Sequence, residues 1–396
     1  MAQLASLFHR ICADVVLELS PGTRNLEVSK YYHNTKNVDL ISKRVLCKTK
    51  VTAYVHKKQT YMNRALIIMI IAMLAGTITA QTQIANNTFE QWTSTAKDVA
   101  IPKGWHSYGD GDCQLKGIYS WGCGPMLKNH SNRVTGHSGY GCEIHSVTLA
   151  GNLVNGVLTT GQMQFASTDN SSSDNNTYTD KDNKLGHNAA MKFTGRPDSV
   201  YFWCKFEMKK PSNVAVAKFH IHGNIAYKDI STHSASTPQK GKIANVFCDI
   251  KDRNDGKWHQ YKYKFTYYDE QNHVVPTTSR TPSYILACFS TNKVAKGGNN
   301  GDKLLIDDIV MVYNKRLSFI NIDGIALPDF APDRTEYTWY CDGSGRIPQV
   351  EAEAQSPHAK VRIEQQNQAI RIIVCHDDGE KVYTVELVDR GLTMAR

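Results

Sequence analysis

Two adjacent carboxylates, Asp307 and Asp308, interrupt residues 303–313 (K-L-L-I-D-D-I-V-M-V-Y), a run that otherwise reads as a β-strand. Asp is depleted in strands, and a buried carboxylate is costly unless it is paired or bound to a metal. Successive strand side chains point to opposite faces, so one Asp is expected to face out and the other in. The inward one needs a cation or hydrogen-bond donors. The chemistry this suggests is structural, since hard carboxylate oxygens suit calcium. The other reading is that loop amides or a lysine supply the partners. Pleat geometry argues against a catalytic pair, because residues on opposite faces cannot flank one glycosidic bond together.

Sugar recognition calls for flat aromatic faces and a few orienting polar groups. Trp105, Tyr108, Tyr119, Trp121 and Tyr140 lie in loop-like sequence and are the candidate ligand-binding residues. Trp203 and Trp258 fall in strand-like runs and read first as core. His220 and His222 share a strand face and have a spacing that suits zinc, but no third ligand is evident, so they read as core or surface histidines. The sequence holds no H-E-x-x-H, no G-x-S-x-G and no Cys/His nucleophile signature. No catalytic residue is assigned. Carboxylates converging from distant strands keep a glycoside hydrolase as the alternative.

These residues must be positioned by strands. Residues 199–208 alternate Tyr201/Trp203/Lys205 against Phe202/Cys204/Phe206, and residues 214–222 alternate in the same way. Further strand runs follow at 246–250, 258–267, 284–290 and 304–313. Regular spacing of this kind marks a sandwich or barrel, and no stretch after residue 80 keeps a helical period. Residues 167–184 (S-T-D-N-S-S-S-D-N-N-T-Y-T-D-K-D-N-K) read as a flexible polar loop. After Tyr313, short strands at roughly ten-residue spacing suggest a small immunoglobulin-like sandwich over 314–396. The chain is predicted to be all-β.

The net charge of +9 is unevenly placed. Residues 1–80 hold eleven Lys/Arg against four Asp/Glu, and the remainder holds 35 against 33. No basic patch follows residue 80, which argues against a nucleic-acid role. Met62-Asn63-Arg64, the apolar run 65–74 and the small residues ending at Ala80 read as a secretory signal peptide (62–80) cleaved after Ala80. The run is short for a membrane span, so the mature chain is expected to have none and to be secreted, periplasmic or at the cell surface. Residues 1–61 then read as an over-extended gene start, with a genuine extension as the alternative. Export permits disulfides. Cys113 and Cys123 bracket a Gly-rich excursion and are candidates to pair, whereas Cys204, Cys248 and Cys288 sit in strand runs and read as buried thiols.

Several ordered motifs resemble a secreted Bacteroidetes family, the putative carbohydrate metabolism domain (PCMD). They are F-E-Q-W at 89–92, P-K-G-W at 102–105, Ser138-Gly139, G-V-L-T-T-G-Q-M at 156–163, F-T-G-R-P-D-S-V-Y-F at 193–202, Ser290-Thr291-Asn292 and G-D-K-L-L-I-D-D-I at 301–309. The resemblance spans about Phe89 to Tyr313 and implies, for residues 81–313, a jelly-roll β-sandwich like that of carbohydrate-binding modules. It also implies that Glu90, near the start, meets Asp307 and Asp308, near the end, around a structural Ca2+. The pattern L-x-F-x-N-I-D-G-I-x-L-P-D-F from residue 317 is similar to the immunoglobulin- or cadherin-like repeats of secreted glycan-processing proteins. The strand 202–206 (F-W-C-K-F) departs from the family's pattern, so no ligand preference is carried over to it. Together these readings describe a non-catalytic, glycan-binding accessory protein; a structural or adhesion role is the third possibility.

Overall fold

The structure is a computed structural model that describes residues 81–94, 100–116, 131–149, 151–169, 171–211, 213–230, 232–251, 255–294, 297–366 and 368–389. Tyr119, Trp121, Cys123 and the segment 62–80 lie outside these residues. The described chain is all-β, with a single short 3-10 turn at Tyr108–Asp110. Among the described residues no helix is long and apolar enough to cross a membrane.

The first domain is a jelly-roll sandwich. Its front sheet has five strands in the order His259–Lys264, Ser199–Glu207, Lys303–Val312, Tyr140–His145, Asn132–Thr135. Its back sheet has six, in the order Val274–Val275, Thr266–Tyr268, Lys242–Ile250, Ala215–His222, Tyr284–Ser290, Val157–Thr159. All neighbouring strands within the two sheets are antiparallel. The alternation of strand side chains builds the core between them. Val200, Phe202, Cys204 and Phe206 come from the front sheet; Ala217, Phe219, Ile221 and Phe289 come from the back.

A third layer covers part of the back sheet. Lys228–Ile230, Asn176–Tyr178, Gln162–Phe165 and Asp112–Cys113 form a four-stranded sheet. Its cover leaves Ala215–His222 buried on both faces, so the polar set Lys218, His220 and His222 is as hidden as the apolar one. This corrects the reading of 167–184 as a loop at Asn176–Tyr178, which is a strand of that sheet. Asn175 takes the amides of Ala166 and Ser167 on its Oδ1 (3.0 and 3.1 Å) and donates to the carbonyls of Ser167 and Asp169. Short polar side chains of this kind fold a segment by satisfying its own backbone, without an apolar pattern to betray it.

The thiols Cys204, Cys248 and Cys288 are free and buried. Cys113 is disulfide-bonded. The second domain packs Leu317–Ile322, Ile325–Ala326 and Val350–Ala354 against a four-stranded sheet of Glu336–Cys341, Gly379–Asp389, Ala369–His376 and Lys360–Gln366. Its own core centres on Leu317, Ile320, Tyr337, Ile372 and Tyr383.

Candidate functional site

Asp307, Asp308 and Glu90 each bond to the turn 137–140, by a route the pleat argument missed. Tyr201 pairs with Val310 and Trp203 with Asp307, so Phe202 alone opposes both Asp308 and Ile309. That is a β-bulge, and Asp308 sits in it at φ 48°. Asp tolerates this left-handed conformation better than β-branched or bulky residues do. The extra residue cancels the alternation, so the inward-outward split expected for the Asp pair does not occur. Asp307 and Asp308 both meet the turn 136–140, beside the front sheet.

Asp307 is fully buried and accepts the backbone N–H groups of Ser138 (3.0 Å) and Asp308 (2.8 Å). Burial pushes its carboxyl up to about 6, against these amide bonds and with help from the Asp308 charge. Asp308 accepts from His137 Nδ1 (2.8 Å) and Ser138 Oγ (3.1 Å). Glu90 Oε1 accepts the Tyr140 N–H at 2.8 Å. Gly139, at φ 55°, admits this approach: a Cβ there would lie 2.1 Å from Glu90 Oε1. The carboxylate oxygens that face the turn therefore already hold protein donors. Among the described residues, Glu90, Asp307 and Asp308 do not form a set of ligand atoms lying within 4.8 Å of one another. A calcium ion here would have to draw oxygens away from those amides.

Among the described residues, the candidates Trp105, Tyr108 and Tyr140 do not form one platform. Trp105 is fully buried in the sandwich core, 5.3 Å from the Phe89 ring, with its indole N–H donated to Ala85 O; it offers no face to a sugar, which corrects the expectation for it. The sequence places it in a loop, but the isolated bridge His106–Thr159 draws that loop onto the back sheet. Tyr108 is half-buried against Phe165 and lines a cleft on the back-sheet side. Tyr140 is exposed on the front sheet under the Arg133 guanidinium. Trp203 is half-buried and stacks on His137 at 3.8 Å.

The site that sequence reasoning missed lies over the outer face of the back sheet. An open groove of about 790 Å³ is lined there by Lys218, His233, Phe247, Asp249, Tyr263 and Lys293, among others. Its neighbour, the Tyr108 cleft, shares Val216, Lys218, Lys293 and Val294 and adds Asn176, whose buried Oδ1 has no hydrogen-bond partner. The groove's floor is a charge network. Lys218 Nζ donates to Asp229 Oδ2 at 3.0 Å and stands over the Phe247 ring. His220 and His233 approach the same carboxylate at 3.5 and 3.7 Å. Burial alone would raise the Asp229 carboxyl; the Lys218 ammonium and His220 outweigh it and hold it below the usual carboxylate range. At the rim, Lys293 Nζ donates to Asp249 at 2.8 Å. The spacing Lys218/His220/His222 was the one signal available in sequence. The two histidines weigh there only as zinc ligands and are set aside because no third ligand is evident.

No family model and no curated protein matches the chain. Solved structures to which the chain is similar include a "putative glycoside hydrolase" from Bacteroides thetaiotaomicron, with 13% identity, 59% of this chain and 71% of that chain covered and a TM-score of 0.40. A "putative sugar binding protein" from the same organism gives 11% identity, 59% and 99% coverage and a TM-score of 0.27. TmCBM61, solved with β-1,4-galactotriose, gives 8%, 58% and 97%, and 0.24. Scores this low leave the fold to be argued from strand pairing and the site from its own geometry.

Proposed function

We propose that the chain is a secreted, non-catalytic glycan-binding protein that takes a carbohydrate in the groove over the back sheet. The observation that carries this reading is the groove's lining. Phe247 and Tyr263 supply rings, while Lys218, His233, Asp249 and Lys293 supply hydrogen-bonding groups around one open space. That mixture is what an oligosaccharide needs, since its C–H faces stack on rings and its hydroxyls require oriented donors and acceptors. The PCMD resemblance points to the same ligand class. Binding is favoured over hydrolysis because Asp249 of the groove and Asp229 of the neighbouring cleft are both tied to lysines, and Asp229 is held in its ionised form. A glycoside hydrolase needs one carboxyl kept protonated as the acid.

A glycan array followed by calorimetry on each hit tests the proposal. Phe247→Ala and Lys293→Ala are expected to weaken binding about tenfold each, in line with the loss of roughly 1–2 kcal/mol from a ring or charge contact. Tyr140→Ala, on the front sheet, should leave it unchanged. Binding that survives both groove substitutions and fails in Tyr140→Ala would move the site to the other sheet. Release of shorter sugars from a bound glycan would replace the binding role with hydrolysis.

A further inference from the structure

Away from the groove, the loop that carries Trp105 into the core brings a second chemistry with it. His106 is pinned to the back sheet by two backbone bonds with Thr159, of 2.7 and 2.9 Å. The chain then turns through Tyr108–Asp110, capped by Ser107, and Asp110 folds back. One Asp110 oxygen takes the Ser107 N–H (2.9 Å) and the other lies 2.6 Å from His106 Nδ1. A carboxylate only accepts, so without metal His106 Nδ1 carries the proton of this contact, and the ring's other nitrogen is Nε2. That Nε2 is buried and has no hydrogen-bond partner, on a residue only 3% exposed.

His187 arrives from a separate loop. Its ring lies nearly parallel to that of His106, with an interplanar angle of 14° and centroids 6.1 Å apart. Its Nδ1 bonds to Gln162 Oε1 at 3.1 Å, and Gln162 is itself fully buried and fixed by donating from Nε2 to the Asp110 carbonyl at 2.9 Å. The Gln162 oxygen accepts, so His187 carries a proton on Nδ1, and its Nε2 is the nitrogen turned to the site. Ligand atoms of His106, Asp110 and His187 all lie within 4.8 Å of one another.

We propose that His106, Asp110 and His187 hold a divalent transition-metal ion, with zinc as the best match to the donors. Two neutral imidazoles and one carboxylate suit zinc and its neighbours, and imidazole nitrogen is a poor ligand for calcium or magnesium. Gln162 orients His187, which is the outer support that metal-bound imidazoles ordinarily have, and the metal takes the place of the proton held between His106 Nδ1 and Asp110. The contrast with Asp229 is instructive: there the Lys218 ammonium already fills the cation position, whereas Asp110 faces His106, whose shared proton a metal can displace. Three protein ligands leave a coordination position for water. The site stands apart from the sugar reading and depends on none of it.

The test uses the full chain, tag-free and stripped with a chelator. Zinc is titrated by calorimetry against a competing chelator, and cobalt by its visible absorption as the spectroscopic stand-in. One ion per chain is expected. His187→Ala, at an exposed position, should keep the melting temperature of the metal-free protein and weaken zinc binding about 10- to 100-fold, and Asp110→Asn should weaken it similarly. His106 is part of the packing, so no outcome rests on its removal. Zinc uptake unchanged in both variants, or no uptake by the unaltered chain at submillimolar zinc, overturns the proposal and leaves the two histidines as a packed pair.

Discussion

His222 shows what burial does to one titratable ring. It is stacked between Tyr227 (centroids 4.6 Å apart) and Tyr284 (5.6 Å), donates from Nδ1 to Gly223 O, and meets the Thr179 hydroxyl at Nε2. The charges near it are also cationic or potentially so: Lys192 stands over the far side of Tyr284, and His220 is the next residue on the same strand face. Burial first, and then His220, lowers its pKa to about 4 from 6.5, against the pull of the Gly223 carbonyl. A base whose folded pKa is depressed contributes stability that is present above pH 6.5 and lost as pH falls toward 4. The full shift corresponds to roughly 3 kcal/mol. Urea melts between pH 7 and 4 should therefore show a fall in stability that flattens in His222→Gln, which keeps hydrogen bonding but cannot charge. An equal slope in the two proteins would assign the acid sensitivity to other groups. The alternation of residues 214–222 was legible in the sequence. That its polar face is buried was not, because the covering strand Asn176–Tyr178 comes from a segment with no apolar pattern.

At the scale of the element, one extra residue decides the front sheet. The run 303–313 was recognisable as a strand. The bulge was not recognisable, because it depends on how Ser199–Glu207 registers against Lys303–Val312, and register is not a local property of either strand. With the bulge, the Asp pair and Glu90 clasp the turn 136–140 through amide and side-chain donors. Calcium remains a proposal for this clasp, and melting separates the two accounts. If the ion binds, millimolar calcium should raise Tm by several degrees over EDTA-treated protein, and Asp307→Asn should abolish the rise. Hydrogen bonding alone predicts melting curves that EDTA and calcium leave superimposed.

On the scale of the molecule, two cores are joined through a polar seam, and the sequence indicated only that the link at Tyr313-Asn314-Lys315 is short. Both domains fall within one compact unit, Thr79–Arg396. Asp198, at the edge of the jelly roll, accepts the Ser356 hydroxyl (2.6 Å) and the Asn314 N–H (2.7 Å), and lies 3.2 Å from His376 Nε2. Beside it the Arg196 N–H donates to Asp377 at 2.7 Å, and the Tyr313 ring meets His376 edge-on. Burial would raise the Asp198 carboxyl, but bonds from His376, Ser356 and the Asn314 N–H, with the His376 charge, hold it below the usual carboxylate range. Its contribution is thus present at neutral pH and lost as pH falls through that depressed value. Replacing Asp198 by Ala removes the shared acceptor and leaves the buried Ser356 hydroxyl and His376 ring facing each other. The expected cost is roughly 1–3 kcal/mol, typical of stranding buried donors. Because that cost falls on the seam and spares both cores, it should appear as lost coupling. Calorimetry of the unaltered chain should then give one dominant transition, and Asp198→Ala should give two, whereas Asp198→Asn, which keeps an acceptor, should lie between them. A single transition at unchanged temperature in Asp198→Ala would mean that the seam records contact between the domains without making them unfold together.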